Sequence, residues 1–491
     1  MAGMTSVTAL SLCPEGILDR LVLVSAETTA GGGRLDIAGP DGAATPELRD
    51  RVYAGIINSG LTWRPQTVTV AVNPLGGATA HACADLAVAA AILAATGYLP
   101  ATALDGVVFL GELGLDGAIR TVRETLKLVA SAAELGYSTV VVPAGNAAQA
   151  RLVPGIRVVA AETLHQVVRW ATTGEDPVLM EAAEPSRPSA VVDVPDLVQL
   201  PAGWRATRFA LQIAAAGGHH VLFTGPAGEA VLAARCLPSL LPDLDDPAAL
   251  QVSALHAAAG LTVEELIRRP PLLAPHCSSS FASVLGGRKP GAVSLAHRGV
   301  LLLEDASEFD ERILRALRQP LDSGIVQLAR ARGAHTYPAG FQMMLTCRTG
   351  HGSAVAQRAY RARLAGIADR ADMTIAVGNT PSADAEPGEA SAPAAARVAA
   401  ARAVAADRWR AEGYATNADI PLDRIQQRPF RLPPPVLAPA ARLREQGAIS
   451  NTGYGQIARL AWTIADLDGL PLPGRDEVER AIQLRRGEAH D

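Results

Sequence analysis

The sequence predicts an α/β protein in three parts: an α/β region at the front, a second one built on a parallel sheet, and a small α-helical region at the end. Three observations carry this. Strand-like apolar runs alternate with helical runs along most of the chain. The composition is 49% hydrophobic but only 4% aromatic, so the apolar weight falls on Ala, Val and Leu, a helix-rich α/β signature. Two polar stretches interrupt the pattern, and 491 residues exceed what one core holds.

In chain order, residues 1–175 alternate strands (Leu21 to Val24, Thr67 to Val72, Gly106 to Leu110, Thr139 to Val142) with helices (Asp85 to Thr96, Glu124 to Leu135), which reads as one compact α/β domain. Residues 176–201, rich in Glu, Asp, Pro and Ser, read as a linker. Residues 202–378 carry continuous apolar strands at Val221 to Thr224, Val300 to Leu303 and Phe341 to Thr346. Strands without alternation belong to a parallel sheet covered on both faces. Residues 379–395, rich in Pro, Ser, Ala, Glu and Gly, are expected to be a flexible connection, and residues 396–491 a helical domain with helices at Ala396 to Glu412 and Asn451 to Leu467.

A net charge of −5 argues against a generally basic nucleic-acid surface, leaving any such contact to a local patch. The five cysteines form no C-x-x-C pair and no disulfide framework. No stretch reaches the roughly 18 apolar residues of a membrane span. The expectation is a soluble cytoplasmic protein without membrane partners.

Residues 219–232 read HHVLFTGPAGEAVL. An apolar strand entering Gly225-Pro226-Ala227-Gly228 and then a helix is how a phosphate-binding loop begins, because glycines let backbone N–H groups turn toward phosphates. Such a loop continues Gly-Lys-Ser/Thr, the lysine reaching the outer phosphates and the hydroxyl holding Mg²⁺. Here the chain reads Glu229-Ala230-Val231, and an acid at this place repels a triphosphate. The whole chain has two lysines, Lys127 and Lys289, neither near the loop in sequence. A second sign is the strand Gly299 to Leu303 ending in Glu304-Asp305, since paired acids after an apolar strand hold the Mg²⁺ shell and orient water in ATP hydrolases.

Long stretches in a fixed order now carry a resemblance: Arg51 to Gly60 (RVYAGIINSG), Phe109 to Arg120 (FLGELGLDGAIR), Ala214 to Gly228, Ala274 to Ser280 (APHCSSS), Ser294 to Asp305 (SLAHRGVLLLED), Ala316 to Gly324 (ALRQPLDSG), Ala329 to Phe341 (ARARGAHTYPAGF) and Ala461 to Leu467 (AWTIADL). The chain resembles the magnesium-chelatase-like AAA+ family, in its ComM/YifB branch, over nearly its whole length. The resemblance implies an N-terminal Lon-protease-like domain, a central AAA+ parallel-sheet module and a C-terminal helical lid, in hexameric rings that move along DNA during recombination. It also implies ATP and Mg²⁺ as cofactors, although the residues of the loop argue against their binding.

Carried over residue by residue, Gly225, Pro226 and Gly228 belong to the nucleotide loop, Glu304 and Asp305 are the acidic pair in reversed order, and Arg348 stands where an asparagine senses the outer phosphate. Arg363 and Arg370 match arginines that act across or near a subunit boundary, and Arg459 a lid arginine that contacts nucleotide. Cys347 and His351 alone remain where the family has a Cys-rich insertion, too few for a zinc site, so no metal centre is expected. In the Lon-like domain the serine position falls at Cys83 and the lysine position at Leu126, so no peptidase activity is expected and Cys83 reads as a buried structural thiol. Ile325 to Tyr337 reads as a β-hairpin around Gly333 carrying Arg330, Arg332 and His335. It is either a surface hairpin with solvated arginines or, as in the family's ring, a basic finger facing DNA in the channel.

Three functions stay open on the sequence. The favoured one is a pseudo-ATPase, a silent subunit in a homo- or hetero-oligomeric ring or a scaffold at DNA-processing complexes. The others are an active DNA translocase with a rebuilt site, and an oligomeric binding protein independent of nucleotide. Magnesium insertion into a porphyrin is less favoured, because the front domain points to the ComM branch.

Overall fold

The computed structural model describes residues 6–14, 19–39, 46–74, 82–179, 194–330, 333–348, 363–364, 366–378 and 388–488. The chain divides into two units: Met1–Ser189 with Ala249–Ile267 and Arg330–His335, and the remainder, Ala190–Ala248, Arg268–Ala329 and Thr336–Asp491.

The first unit is built on strands β1 (Ser6–Cys13), β2 (Arg20–Ala30), β3 (Leu35–Ala38), β4 (Gln66–Pro74), β5 (Val107–Phe109), β8 (Thr139–Pro143) and β9 (Arg157–Ala161), in the order β3-β4-β2-β1-β5-β8-β9. A small ribbon pairs β6 (Glu112–Leu113) with β7 (Ile119–Arg120). The sheet is mixed: β1, β2 and β4 are antiparallel neighbours, while β1, β5, β8 and β9 run parallel. The helix Asp85–Ala95 is apolar on every side after its first residue, and all of it is buried, as an all-round apolar helix must be. Its one charge, Asp85, accepts two hydrogen bonds from the Arg51 guanidinium at 3.0 and 3.2 Å.

In the second unit the strands β11 (Leu272–Leu273), β12 (Val300–Leu303), β15 (Gln342–Arg348), β10 (Val221–Gly225) and β16 (Met373–Ala376) lie in that order, and every neighbouring pair is parallel. This is the sheet that the unalternated apolar runs predict, and β12 is buried along its whole length. β13 (Ile325–Arg330) and β14 (Gly333–Pro338) pair as the expected hairpin.

One expectation is corrected. The helix Ser391–Trp409 begins inside the stretch 379–395 assigned to a flexible connection. Alanines at 392, 394, 395 and 396 favour helix, and the Ser391 N–H donates to Asp196 at 3.0 Å, fixing where the helix starts. Residues 379–387 lie outside the described residues. The helices Pro434–Glu445, Asn451–Leu467 and Arg475–Arg486 complete a C-terminal helical region, whose buried side chains Trp409, Ile457 and Val478 share one core with Val221, Phe223 and Met344 of the sheet. No described helix is long and apolar enough to cross a membrane.

Candidate functional site

In open parallel sheets, ligands bind beyond the carboxyl ends of the strands. Gly225, the Glu304-Asp305 pair and Arg348 all stand at that C-terminal edge, since Gly225 is in register with Arg348 and Leu303 with Leu345. The topology therefore gathers there the loop, the acidic pair and the residue at the phosphate-sensing position.

The loop itself is short. β10 ends at Gly225, Pro226 is extended, and the helix Ala227–Cys236 is already under way at the next residue. Gly225 has a φ of +153°, and a Cβ there would lie 2.4 Å from the carbonyl oxygen of Val377, so only glycine fits. Gly378 is equally constrained: with φ +105°, its missing Cβ leaves room for Pro226 and for Glu229 Oε2, each of which a Cβ would approach within 2.8 Å. Thus Glu229 turns its carboxylate toward Gly378 in the first turn of the helix, where a nucleotide loop would hold its phosphates.

Both acids after β12 are engaged by arginines. Arg235, at the last turn of the loop helix, donates from Nη2 to Glu304 at 2.6 Å and from Nε at 3.1 Å. Arg348 grips Asp305 with two parallel bonds, 2.9 Å to Oδ1 and 2.5 Å to Oδ2. Asp305 has a left-handed backbone, φ +49°, with its N–H donating to Thr346 Oγ1 at 2.9 Å. Among the described residues the fit to a Mg²⁺-nucleotide is poor: the strand passes to the helix through Pro226 alone, and Glu304 and Asp305 are each already paired with an arginine.

The transferred arginines are placed as follows. Arg370 is bidentate to Asp322, with bonds of 2.6 to 3.0 Å, and Arg363 donates to the Phe309 carbonyl at 3.3 Å. Arg459 does not reach the loop. It donates to the Ile420 carbonyl and feels Asp372 and Asp419. Asp372 precedes β16, whose Met373 pairs with Val221, so Arg459 sits at the N-terminal edge of the sheet, a strand length from Gly225. Arg330 closes β13, its side chain and all of Arg332 lying outside the described residues, as does His351. No group of three or more His, Cys, Asp or Glu gathers as a metal site among the described residues.

Sequence reasoning missed Arg235, although it is the only other charge on the loop helix besides Glu229. It also missed a buried polar cluster at the N-terminal edge. There His219 Nε2 lies 2.8 Å from Thr463 Oγ1, and His219 Nδ1 lies 3.5 Å from Asp372 Oδ2, long for a hydrogen bond. Asp372 accepts from the His220 N–H at 3.0 Å, and His220 Nδ1 accepts from the Met343 N–H at 3.0 Å. Asn417 Nδ2 donates to Thr463 at 3.0 Å and to Asp466 at 2.9 Å, and Asp466 also accepts from Arg408. Burial raises the cost of charge on Asp372, but His219, His220 and Arg459 outweigh it and hold the carboxyl well below the usual range. Burial lowers His220 and takes His297 down to about 4.

A parallel sheet covered by helices, with a glycine-bearing strand-to-helix turn and two acids at its carboxyl edge, is the frame of an AAA+-type module. Comparison with known families gives the rest. The description "Magnesium chelatase, subunit ChlI" matches residues 196–385, "Subunit ChlI of Mg-chelatase" residues 24–146, and "Magnesium chelatase, subunit ChlI C-terminal" residues 388–485. An uncharacterized protein of Mycobacterium tuberculosis is 38% identical, covering 97% of this chain and 98% of its own. The uncharacterized protein YifB of Escherichia coli is 31% identical over 94% of both chains, and competence protein ComM of Haemophilus influenzae 30% over 92% of both. The chain belongs to the magnesium-chelatase ChlI-like AAA+ family that includes YifB and ComM.

Proposed function

We propose that this chain is a pseudo-ATPase of the ComM/YifB branch, acting as a ring subunit or scaffold in DNA uptake or recombination. The observation that carries the reading is the handover at Pro226: a helix that opens one residue after its strand leaves no cradle for phosphates. The arginine pairs on Glu304 and Asp305 support it, because Mg²⁺ would have to displace both. Losing a charge-assisted contact such as the loop lysine's removes about 1.5–3 kcal/mol of binding, and Glu229 adds repulsion.

The link to DNA rests on the name of the ComM relative and on the hairpin bearing Arg330 and Arg332, which is proposed as the nucleic-acid contact. Arg363 and Arg370 are proposed to face a neighbouring subunit. For Arg370 that role requires release of Asp322, an exposed partner whose loss costs little. Equilibrium binding of a fluorescent ATP analogue with Mg²⁺, competed by free ATP, tests the reading. No binding at millimolar nucleotide is expected. Competable micromolar binding, with turnover stimulated by single-stranded DNA and abolished in Glu304→Ala, would establish a working translocase instead.

A further inference from the structure

We infer that Cys13 and Cys83 are a dithiol pair that closes into a disulfide, making the core of the first unit a redox modification site. The inference stands apart from the nucleotide reading. Cys13 ends β1, which lies between β2 and β5 in the sheet, and Cys83 sits in the short turn Ala82–Ala84 that leads into the buried helix Asp85–Ala95. Their Sγ atoms are 3.4 Å apart across 70 residues of chain, and the side chains are 2% and 7% exposed. Cys83 Sγ is also 3.4 Å from the Leu12 carbonyl, so the thiol is held against β1 by two contacts. Both cysteines stand on well-packed elements that already face each other. A disulfide needs the sulfurs to close from 3.4 Å to about 2.0 Å, and a local opening of the turn Ala82–Ala84 admits the oxidant to these buried thiols.

The position sharpens the point. Cys83 occupies the place where the resemblance puts a serine nucleophile, yet it points at a second thiol and is closed off from solvent. Its hydrogen bond with Cys13 and its burial push the thiol above the usual range, so attack on an oxidant is slow. The pair therefore behaves as a slow, durable switch and not as a rapid peroxide sensor.

The reaction needs an oxidant, and a small-molecule disulfide such as oxidised glutathione serves. One cysteine thiolate attacks it, breaking the S–S bond and releasing one small thiol. The other thiolate then displaces the second small thiol from the mixed disulfide. The Cys13–Cys83 bond forms, two electrons pass to the oxidant, and the two cysteine protons end on the two small thiols.

The test uses the full chain incubated with oxidised glutathione, denatured, alkylated and examined by intact mass and a non-reducing peptide map. The expected result is loss of two alkylatable thiols in addition to a glutathionylated Cys277, and a linked peptide containing Cys13 and Cys83, reversed by dithiothreitol. The oxidised protein should unfold about 5 °C or more higher than the reduced one, and Cys83→Ser and Cys13→Ala should each abolish both the link and the shift. The half-exposed Cys277 reports whether the oxidant acted. If Cys277 is glutathionylated while Cys13 and Cys83 still alkylate, or if either cross-links elsewhere, the inference fails; the wild-type peptide map decides this even where a variant does not fold.

Discussion

The two edges of the five-stranded parallel sheet carry polar residues of similar kinds and use them in opposite ways. At the N-terminal edge His219, His220, His297 and Asp372 are buried or nearly so and bonded to backbone and side chains from several distant segments. At the C-terminal edge Arg235, Glu304 and Arg348 are a third or more exposed, and Arg235–Glu304 and Arg348–Asp305 form surface ion pairs. Buried polar groups are expensive to leave unmet, whereas exposed pairs contribute little. The difference teaches that the edge where a family keeps its chemistry is here the edge that matters least to the fold.

The largest effect that would break this contrast is expected at Asp372. Asp372→Ala strands His219, the His220 N–H and Arg459, and should cost about 3–5 kcal/mol, read by denaturant unfolding; a loss under 1 kcal/mol would mean the two edges are equivalent. Next comes acid. His297 accepts the Gly340 N–H at 3.0 Å and titrates near 4 when folded, so below the ordinary value of about 6.5 the unfolded chain takes a proton that the folded one refuses. Stability should then fall by about 3 kcal/mol between pH 6.5 and 4 from His297 alone, with His220 adding in the same direction. Asp372, lowered in the folded state, contributes above its unfolded value near 3.9 and is lost as pH falls below it. A stability that stays flat from pH 7 to 4 would contradict this arrangement.

The C-terminal edge gives the smaller effects. Arg235→Ala with Arg348→Ala should change stability by about 1 kcal/mol or less, since both pairs are solvated. Thermal unfolding and nucleotide titration on the same sample check that the variant stays folded and still binds no ATP. Smallest of all, Glu229→Lys should leave nucleotide binding undetectable, because it restores a charge without a backbone to hold phosphate. Tight binding by that variant would show that the side chain, and not the loop's path, is the defect.

Much of the C-terminal edge was legible in the sequence, because a loop and an acid pair are local patterns. Val221 to Thr224, Val300 to Leu303 and Asn451 to Leu467 fall where their apolar periodicity puts them. The N-terminal edge was not legible. His219 meets Asp372 and Thr463 across gaps of about 150 and 244 residues, and no local spacing signals such partners. β16 is four residues long, too short for a period, and β1 alternates clearly only over its first residues. Arg348 was read at its position in the strand order, but its grip on Asp305 depends on the left-handed turn there, which the sequence does not announce.

The single-residue handover from β10 to the helix at Ala227 also sets what a change of sequence can restore. Point substitutions exchange side chains, but a phosphate cradle is a course taken by the main chain. On the reading proposed above, a cradle would form only by unwinding the first turn of the helix or by inserting residues ahead of it, both of which disturb Pro226 against Gly378. Under that reading no single side-chain exchange restores nucleotide binding.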